Sequence, residues 1–166
     1  TYNLEIALRL NDLMHLLGID TQMIRSTDTS VYSQGDTIAA KKVSDLKNRV
    51  SQVNNTENGL LLSIHQNTFT ESQYSGAQVF YAPEGEGAQL AELLQNAICQ
   101  TINIGSNRRS KIGTGVYLLE HIERTGVLIE CGFLSNSEEE AKLRDKSYQQ
   151  KLVCVIGSTV CNFLDR

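Results

Sequence analysis

The residues most able to do chemistry in this chain are a histidine and a glutamate, each standing where an apolar run ends. His65 follows Leu60, Leu61, Leu62, Ser63 and Ile64 and precedes Gln66 and Asn67. Glu130 follows Val127, Leu128 and Ile129 and precedes Cys131, Gly132, Phe133, Leu134, Ser135 and Asn136. A neutral imidazole is a good zinc ligand, and a carboxylate beside a metal-activated water can serve as general base while the metal polarises a scissile carbonyl. In largely parallel sheets, ligands gather outside the carboxyl ends of the strands, so a polar residue that ends an apolar strand faces the expected site. Spacing alone does not make a site of one histidine and one glutamate. A strand-end histidine satisfied by its neighbours and a buried, hydrogen-bonded carboxylate fit the same pattern.

The elements that must hold these two residues alternate between helical and strand periods. Ile6, Leu10, Leu13, Met14 and Leu17 recur at helical spacing, and Gly18 supplies a stop. Residues 19–25 read as a short strand, and residues 26–37 as a polar loop long enough to be functional. Val43, Leu46, Val50 and Val53 mark a second helix that ends in the turn-forming Asn54, Asn55, Asn58 and Gly59. Residues 60–64 form a continuous apolar run, as expected of a strand covered on both faces. Residues 77–81 read as a further strand and 90–102 as a third helix, with Leu90, Leu94, Ala97 and Ile98 on one stripe. Residues 116–119 and 127–129 are β-branched and leucine runs that continue the sheet. Ser137 followed by three glutamates reads as a helix start, and a last helix runs from Tyr148 with Leu152, Val155, Ile156, Val160 and Phe163 at core spacing. Together these predict an α/β domain: a twisted, largely parallel sheet of about five to six strands with helices on both faces.

Composition narrows the function classes. The 166 residues carry 40% apolar and 20% charged side chains, ordinary values for one globular domain. Fifteen basic against nineteen acidic residues give a net charge of −4 with no basic run, which argues against nucleic acid as a partner. The longest apolar stretches fall well short of the roughly 20 residues of a membrane span. Cys99, Cys131, Cys154 and Cys161 are widely spaced, form no CxxC pair, and read as free thiols. His15 lies among helical apolar residues and His121 in a charged loop; neither reads as a metal ligand, and Glu5 reads as a surface residue.

Ser63–Ile64–His65–Gln66–Asn67 and Val127–Leu128–Ile129–Glu130–Cys131–Gly132–Phe133–Leu134–Ser135–Asn136 together resemble the N-acetylmuramoyl-L-alanine amidase family of zinc hydrolases, whose hallmarks are S-I-H-x-N and V-L-x-E-x-G-F-x-S-N. Supporting matches run along nearly the whole chain: Arg25, Asp28, Arg49, residues 76–81 and residues 117–119. The resemblance implies hydrolysis of the amide between N-acetylmuramic acid and L-alanine in bacterial peptidoglycan, with Zn2+ as cofactor and peptidoglycan or a muropeptide as substrate. It implies His65 as a metal ligand, Glu130 as the catalytic base that assists the zinc-bound water, and Asn67 as a substrate or supporting contact. It also implies a working place outside the cytoplasmic membrane, in cell wall or periplasm or secreted. Gln66 occupies a position that is usually small in the family, and Thr125–Gly126 replaces a frequent proline.

The family's other two ligands are a histidine in a Gly-His-Gly segment after its first strand and a glutamate just before its first helix. Aligning residues 3–7 with that helix places the glutamate two residues before Thr1, with the histidine further upstream. Residues 1–166 are therefore expected to be the catalytic domain without its first strand and that ligand segment. The alternative from another class is a metal-free, amidase-like module that binds wall fragments or a protein partner.

Overall fold

The computed structural model describes residues 2–166. Helix α1 (Tyr2–Leu16) buries Ile6, Leu10 and Met14, one stripe at a spacing of four, and closes in a left-handed turn at Gly18. There the Gly18 and Ile19 N–H groups return to the carbonyls of His15 and Met14, a conformation a residue with a Cβ rarely adopts. Helix α2 (Ile38–Asn54) is capped by Thr37, whose hydroxyl accepts the Ala40 N–H at 3.1 Å. Strands β1 (Leu61–Asn67) and β2 (Gln78–Tyr81) follow, then helix α3 (Gly87–Thr101) and the two-residue strand β3 (Lys111–Ile112). The chain ends with α4 (Tyr117–His121), β4 (Gly126–Phe133), α5 (Ser137–Arg144) and α6 (Lys146–Leu164).

The sheet order is β1-β4-β2-β3. β1 runs parallel to β4 and β2 parallel to β3, while β2 and β4 are antiparallel. β4 is central, and all its residues except Glu130 are buried. Because side chains alternate along a strand, each face takes every second residue. Ile64, Val79, Val127 and Ile129 pack with residues of α1, α3 and α6, among them Ile6, Leu10, Leu90, Leu94, Leu152 and Ile156. Leu61 and Leu128 pack on the other face with Val53 of α2 and with Leu118, Leu119 and Ile122 around α4. Gly87 opens α3 hard against the sheet: a Cβ there would stand 2.8 Å from the Ala82 carbonyl oxygen and 3.0 Å from that of Gly126.

The α/β class with helices on both faces agrees with the sequence reading, but among the described residues the sheet has four strands and one antiparallel junction. Two expected strands are not strands. Residues 19–25 have no ladder partner among the described residues, and an extended segment without one is no strand. Residues 116–119 enter the short helix α4, in which the Glu120 and Ile122 N–H groups reach back to the Val116 and Leu118 carbonyls. A run of four apolar residues is too short for its period to separate the two outcomes. β3 was not foreseen at all. The cap of α5 is Asn136 rather than Ser137: its side-chain oxygen accepts the N–H groups of Glu138 and Glu139 at 3.0 and 3.1 Å. All four cysteines are free; Cys131 is buried and Cys154 exposed.

Candidate active site

Register brings the two sequence-predicted residues together. In the parallel β1–β4 ladder, Leu61 pairs with Gly126, Ser63 with Leu128 and His65 with Glu130. Directly paired residues on neighbouring strands project to the same face, with backbones about 4.8 Å apart. The imidazole and the carboxylate therefore lie side by side, near the carboxyl ends of both strands and on the face shared with α2 and α4.

Beyond His65 the register shifts by one, so that Asn67 pairs with Phe133. The loops that leave the two strands are tied together at that point. The Leu134 N–H donates to the Asn67 carbonyl at 2.8 Å, the Phe69 N–H to the Ser135 hydroxyl at 3.1 Å, and the Asn136 amide to the Ser72 carbonyl at 2.9 Å. Asn67 thus sits two residues from His65 on the same rim.

The two groups titrate in opposite senses. Burial pushes the Glu130 carboxyl up to about 7. Its Oε2 is buried and has no hydrogen-bond partner among the described residues, so nothing local stabilises the charged form. His65 shows part of its ring to solvent, yet its pKa is lowered, first by desolvation of the rest of the ring and then by the positive fields of Arg49 and Arg25. At neutral pH the imidazole is uncharged, the form that can bind a metal, and the glutamate is poised between its two states.

A cavity of about 980 Å³ opens beside β1, between α1, residues 19–25 and α2, with His65 in its wall. Arg25, Asp45 and Arg49 line it as well, whereas Glu130 does not. The Arg49 Nε donates to Asp45 Oδ2 at 2.6 Å, and Asp45 Oδ1 accepts the Val31 N–H at 2.7 Å. Burial works against the charged form of Asp45, but these hydrogen bonds and the charges of Arg49 and Arg25 hold its carboxyl below the usual range. The polar loop 26–37 is thereby fastened to α2.

Among the described residues, no three His, Cys, Asp or Glu side chains stand close enough together to hold a metal ion. His15 contacts the Thr21 hydroxyl at 2.6 Å, and His121 stacks on Tyr117 with ring centroids 3.9 Å apart. Glu5 is exposed and reaches the Gln149 amide at 3.1 Å.

Sequence reasoning missed one organising residue. Glu139, read only as one of three acids at a helix start, is 5% exposed, and its Oε2 accepts the Gly76 N–H at 2.8 Å and the Phe133 N–H at 3.4 Å. It joins α5 to the segment between β1 and β2. The signal was present: a glutamate three residues after a capping Asn136 occupies the acid position of a capping box, and here it turns to other backbone N–H groups.

Comparison with known proteins places these features in a family. Residues 1–162 match the family described as N-acetylmuramoyl-L-alanine amidase. A germination-specific N-acetylmuramoyl-L-alanine amidase of Bacillus subtilis is 34% identical over 162 residues, which is 96% of this chain and 68% of that protein. The CwlD amidase of Clostridioides difficile, solved in complex with the GerS lipoprotein, superposes with a TM-score of 0.93 at 34% identity over 99% of this chain and 85% of that one. An N-acetylmuramoyl-L-alanine amidase of Clostridium difficile 630 gives a TM-score of 0.82 at 27% identity over 99% of this chain and 82% of that one.

Proposed function

The chain belongs to the N-acetylmuramoyl-L-alanine amidase family of peptidoglycan amide hydrolases, and from that premise we propose that it cleaves the bond between the lactyl group of N-acetylmuramic acid and L-alanine, with Glu130 as general base and His65 as one ligand of a catalytic zinc. The observation that carries this reading is the direct pairing of His65 with Glu130 across β1 and β4. Asn67, on the same rim, is the proposed substrate contact.

Glu130 supports the role assigned to it. A carboxyl near pKa 7 exchanges its proton readily in both directions at neutral pH. It takes a proton as water attacks the scissile carbonyl, a C–O bond forms, and the C–N bond breaks as the same proton passes to the departing alanine nitrogen. The products are a free lactyl carboxyl group and the free amine of the peptide.

Zinc, when bound, would polarise that carbonyl and acidify the attacking water. A catalytic zinc site takes three protein ligands. Residues 2–166 offer a neutral imidazole at His65 and no group of three donors, so they do not fit a complete site by themselves. The remaining ligands are proposed to come from outside residues 1–166. On this reading the chain alone binds zinc weakly, and tight one-to-one binding in an equilibrium titration would refute it. The proposed place of action is extracytoplasmic, where the substrate lies; among the described residues, no helix is long and apolar enough to cross a membrane.

Mass analysis of muropeptides digested by the native protein and by its Glu130→Gln variant tests the reading. The expected products carry a new amine at L-alanine, and the variant loses at least about a hundredfold in rate. Cleavage at another bond of the peptide, or full activity in the variant, would overturn it.

A further inference from the structure

The proposed reaction consumes His65, Glu130 and Asn67 but leaves two arginines in the cavity wall without a task. Arg25 and Arg49 line the cavity that also contains His65. Their side chains are only 22% and 24% exposed. Each is braced on one side by an aspartate. Arg25 Nη1 donates to Asp28 Oδ1 at 2.9 Å and to the Thr27 carbonyl at 3.1 Å. Arg49 turns its Nε towards Asp45 Oδ2 at 2.6 Å, with Nη2 at 3.4 Å from Oδ1.

The other donors are free. Among the described residues, Arg25 Nε and Nη2 and Arg49 Nη1 make no hydrogen bond to the protein. A guanidinium fixed by a carboxylate at one edge, with N–H groups to spare at the other and partial shielding from water, is pre-organised to take a second anion. Asp20, Asp45 and Glu57 line the same cavity, and of these Asp45 is already taken up by Arg49.

We infer that Arg25 and Arg49 form a carboxylate-reading wall, which binds a free carboxylate of the peptide that leaves with L-alanine and so sets the specificity of the site. The inference rests on the proposed amide hydrolysis, because it takes its ligand from that substrate. Whatever residues follow the alanine, the leaving peptide carries at least its terminal carboxylate. An anion seated there would hold the peptide on the His65 side of β1, and the scissile carbonyl on its amino-terminal side would fall towards the histidine. Arg25 and Arg49 are then positioning and specificity residues, and they take no part in bond breaking.

The test is a pair of ligands titrated into the chain at pH 7 and low ionic strength, followed by NMR: a short N-acylated L-alanyl peptide with a free terminal carboxylate, and the same peptide as its carboxamide. The expected result is about tenfold tighter binding of the carboxylate, the weight of one charge-assisted hydrogen bond. Arg25→Gln and Arg49→Gln should each shrink the preference to about twofold or less, whereas Arg49→Lys, which keeps the charge, should retain part of it. Since Arg49→Gln also strips a partner from Asp45, a loss of fold in that variant shifts the decision to Arg25→Gln, whose aspartate partner is exposed, and to added salt, which should erase the preference. Equal affinity of the unmodified chain for the two peptides, no binding of either, or a preference that survives Arg25→Gln would overturn the inference. The muropeptide digestion keeps the two readings apart: wrong products with the carboxylate preference intact sink the amidase assignment alone, and correct products with no preference sink only the arginine wall.

Discussion

Replacing Glu130 by glutamine should make the folded chain more stable, and only above a definite pH. In the folded state the carboxyl titrates near 7, against an ordinary value of 4.5. A raised folded pKa means that the native state favours the protonated form. Below pH 4.5 both folded and unfolded chains hold the proton, and the group is neutral in its effect. As pH rises towards 7 the unfolded chain ionises first, so wild-type stability falls; above about 7 both states are charged and the loss is complete. The full shift corresponds to about 3 kcal/mol, and solvent reaching the half-buried carboxyl reduces this to roughly 1–2 kcal/mol. The amide that Glu130→Gln introduces carries no such penalty, and any packing cost it adds is the same at every pH. Urea denaturation of both proteins in the presence of chelator, at intervals from pH 4.5 to 8.5, isolates the difference. With a slope of about 2 kcal/mol per molar urea, the variant's midpoint should gain on the wild type by about 0.5–1 M between the ends of the series. A difference that stays flat with pH, or that favours the wild type as pH rises, would refute the argument that Glu130 is held in an unfavourable charged state.

Other residues give sharp expectations. Glu139→Ala leaves the buried N–H groups of Gly76 and Phe133 without an acceptor and should cost about 2–3 kcal/mol by denaturant titration, with faster hydrogen exchange at Gly76. Among the described residues, both amide atoms of Gln66 are buried with no hydrogen-bond partner beyond a weak approach to the Cys131 thiol, so Gln66→Met, nearly equal in shape, should be neutral or raise stability by up to about 1 kcal/mol in the same assay. Gly87→Ala drives a Cβ against two carbonyl oxygens, one on β4 at Gly126 and one at Ala82 just past β2, and should cost about 1–3 kcal/mol, seen as a lower thermal midpoint.

Much of this was legible in the sequence because burial writes periodicity. The stripe of Ile6, Leu10 and Met14 at a spacing of four reads as a helix, and the strand read at residues 127–129 is the centre of the longer β4. The failures have physical causes too. Residues 19–25 carry a strand-like composition, but pairing is a property of two segments, and the neighbour cannot be read from one. Residues 116–119 are too few to show a period, and the turn at Gly113–Val116 that starts α4 is closed by the Val116 N–H on the Gly113 carbonyl and the Gly115 N–H on the Glu120 carboxylate, contacts that a short run does not announce. Glu139 stands in a row of three glutamates, and composition does not tell which of them a helix turns inward. Of the proposed site residues, His65 and Glu130 stood out by type and position at the ends of apolar runs, whereas Asn67 entered only through the resemblance to the family. The arginines were visible only as matches to the family, because their standing beside His65 follows from how α2 and residues 19–25 flank β1.

The adjacency of His65 and Glu130 is itself a consequence of register. From Leu61 with Gly126 to His65 with Glu130, the five pairs keep one constant offset, and the two that face away from His65, Leu62 with Val127 and Ile64 with Ile129, are wholly apolar. Sliding β1 by one residue would carry Leu62 and Ile64 out of the α1–α3–α6 core, together with the apolar contacts they make there. Burying Ile64 is worth about 1.5–3 kcal/mol and the partly buried Leu62 adds less, so the hydrophobic residues that precede the polar pair are what fix it in place. The shift between His65 and Asn67 then falls where it does no harm to that lock, past the last apolar pair, and it re-aims the rim. The chemistry at the end of these strands is therefore positioned by residues that take no part in it: alter the apolar spacing in either strand, and His65 and Glu130 part company even though both remain in the chain.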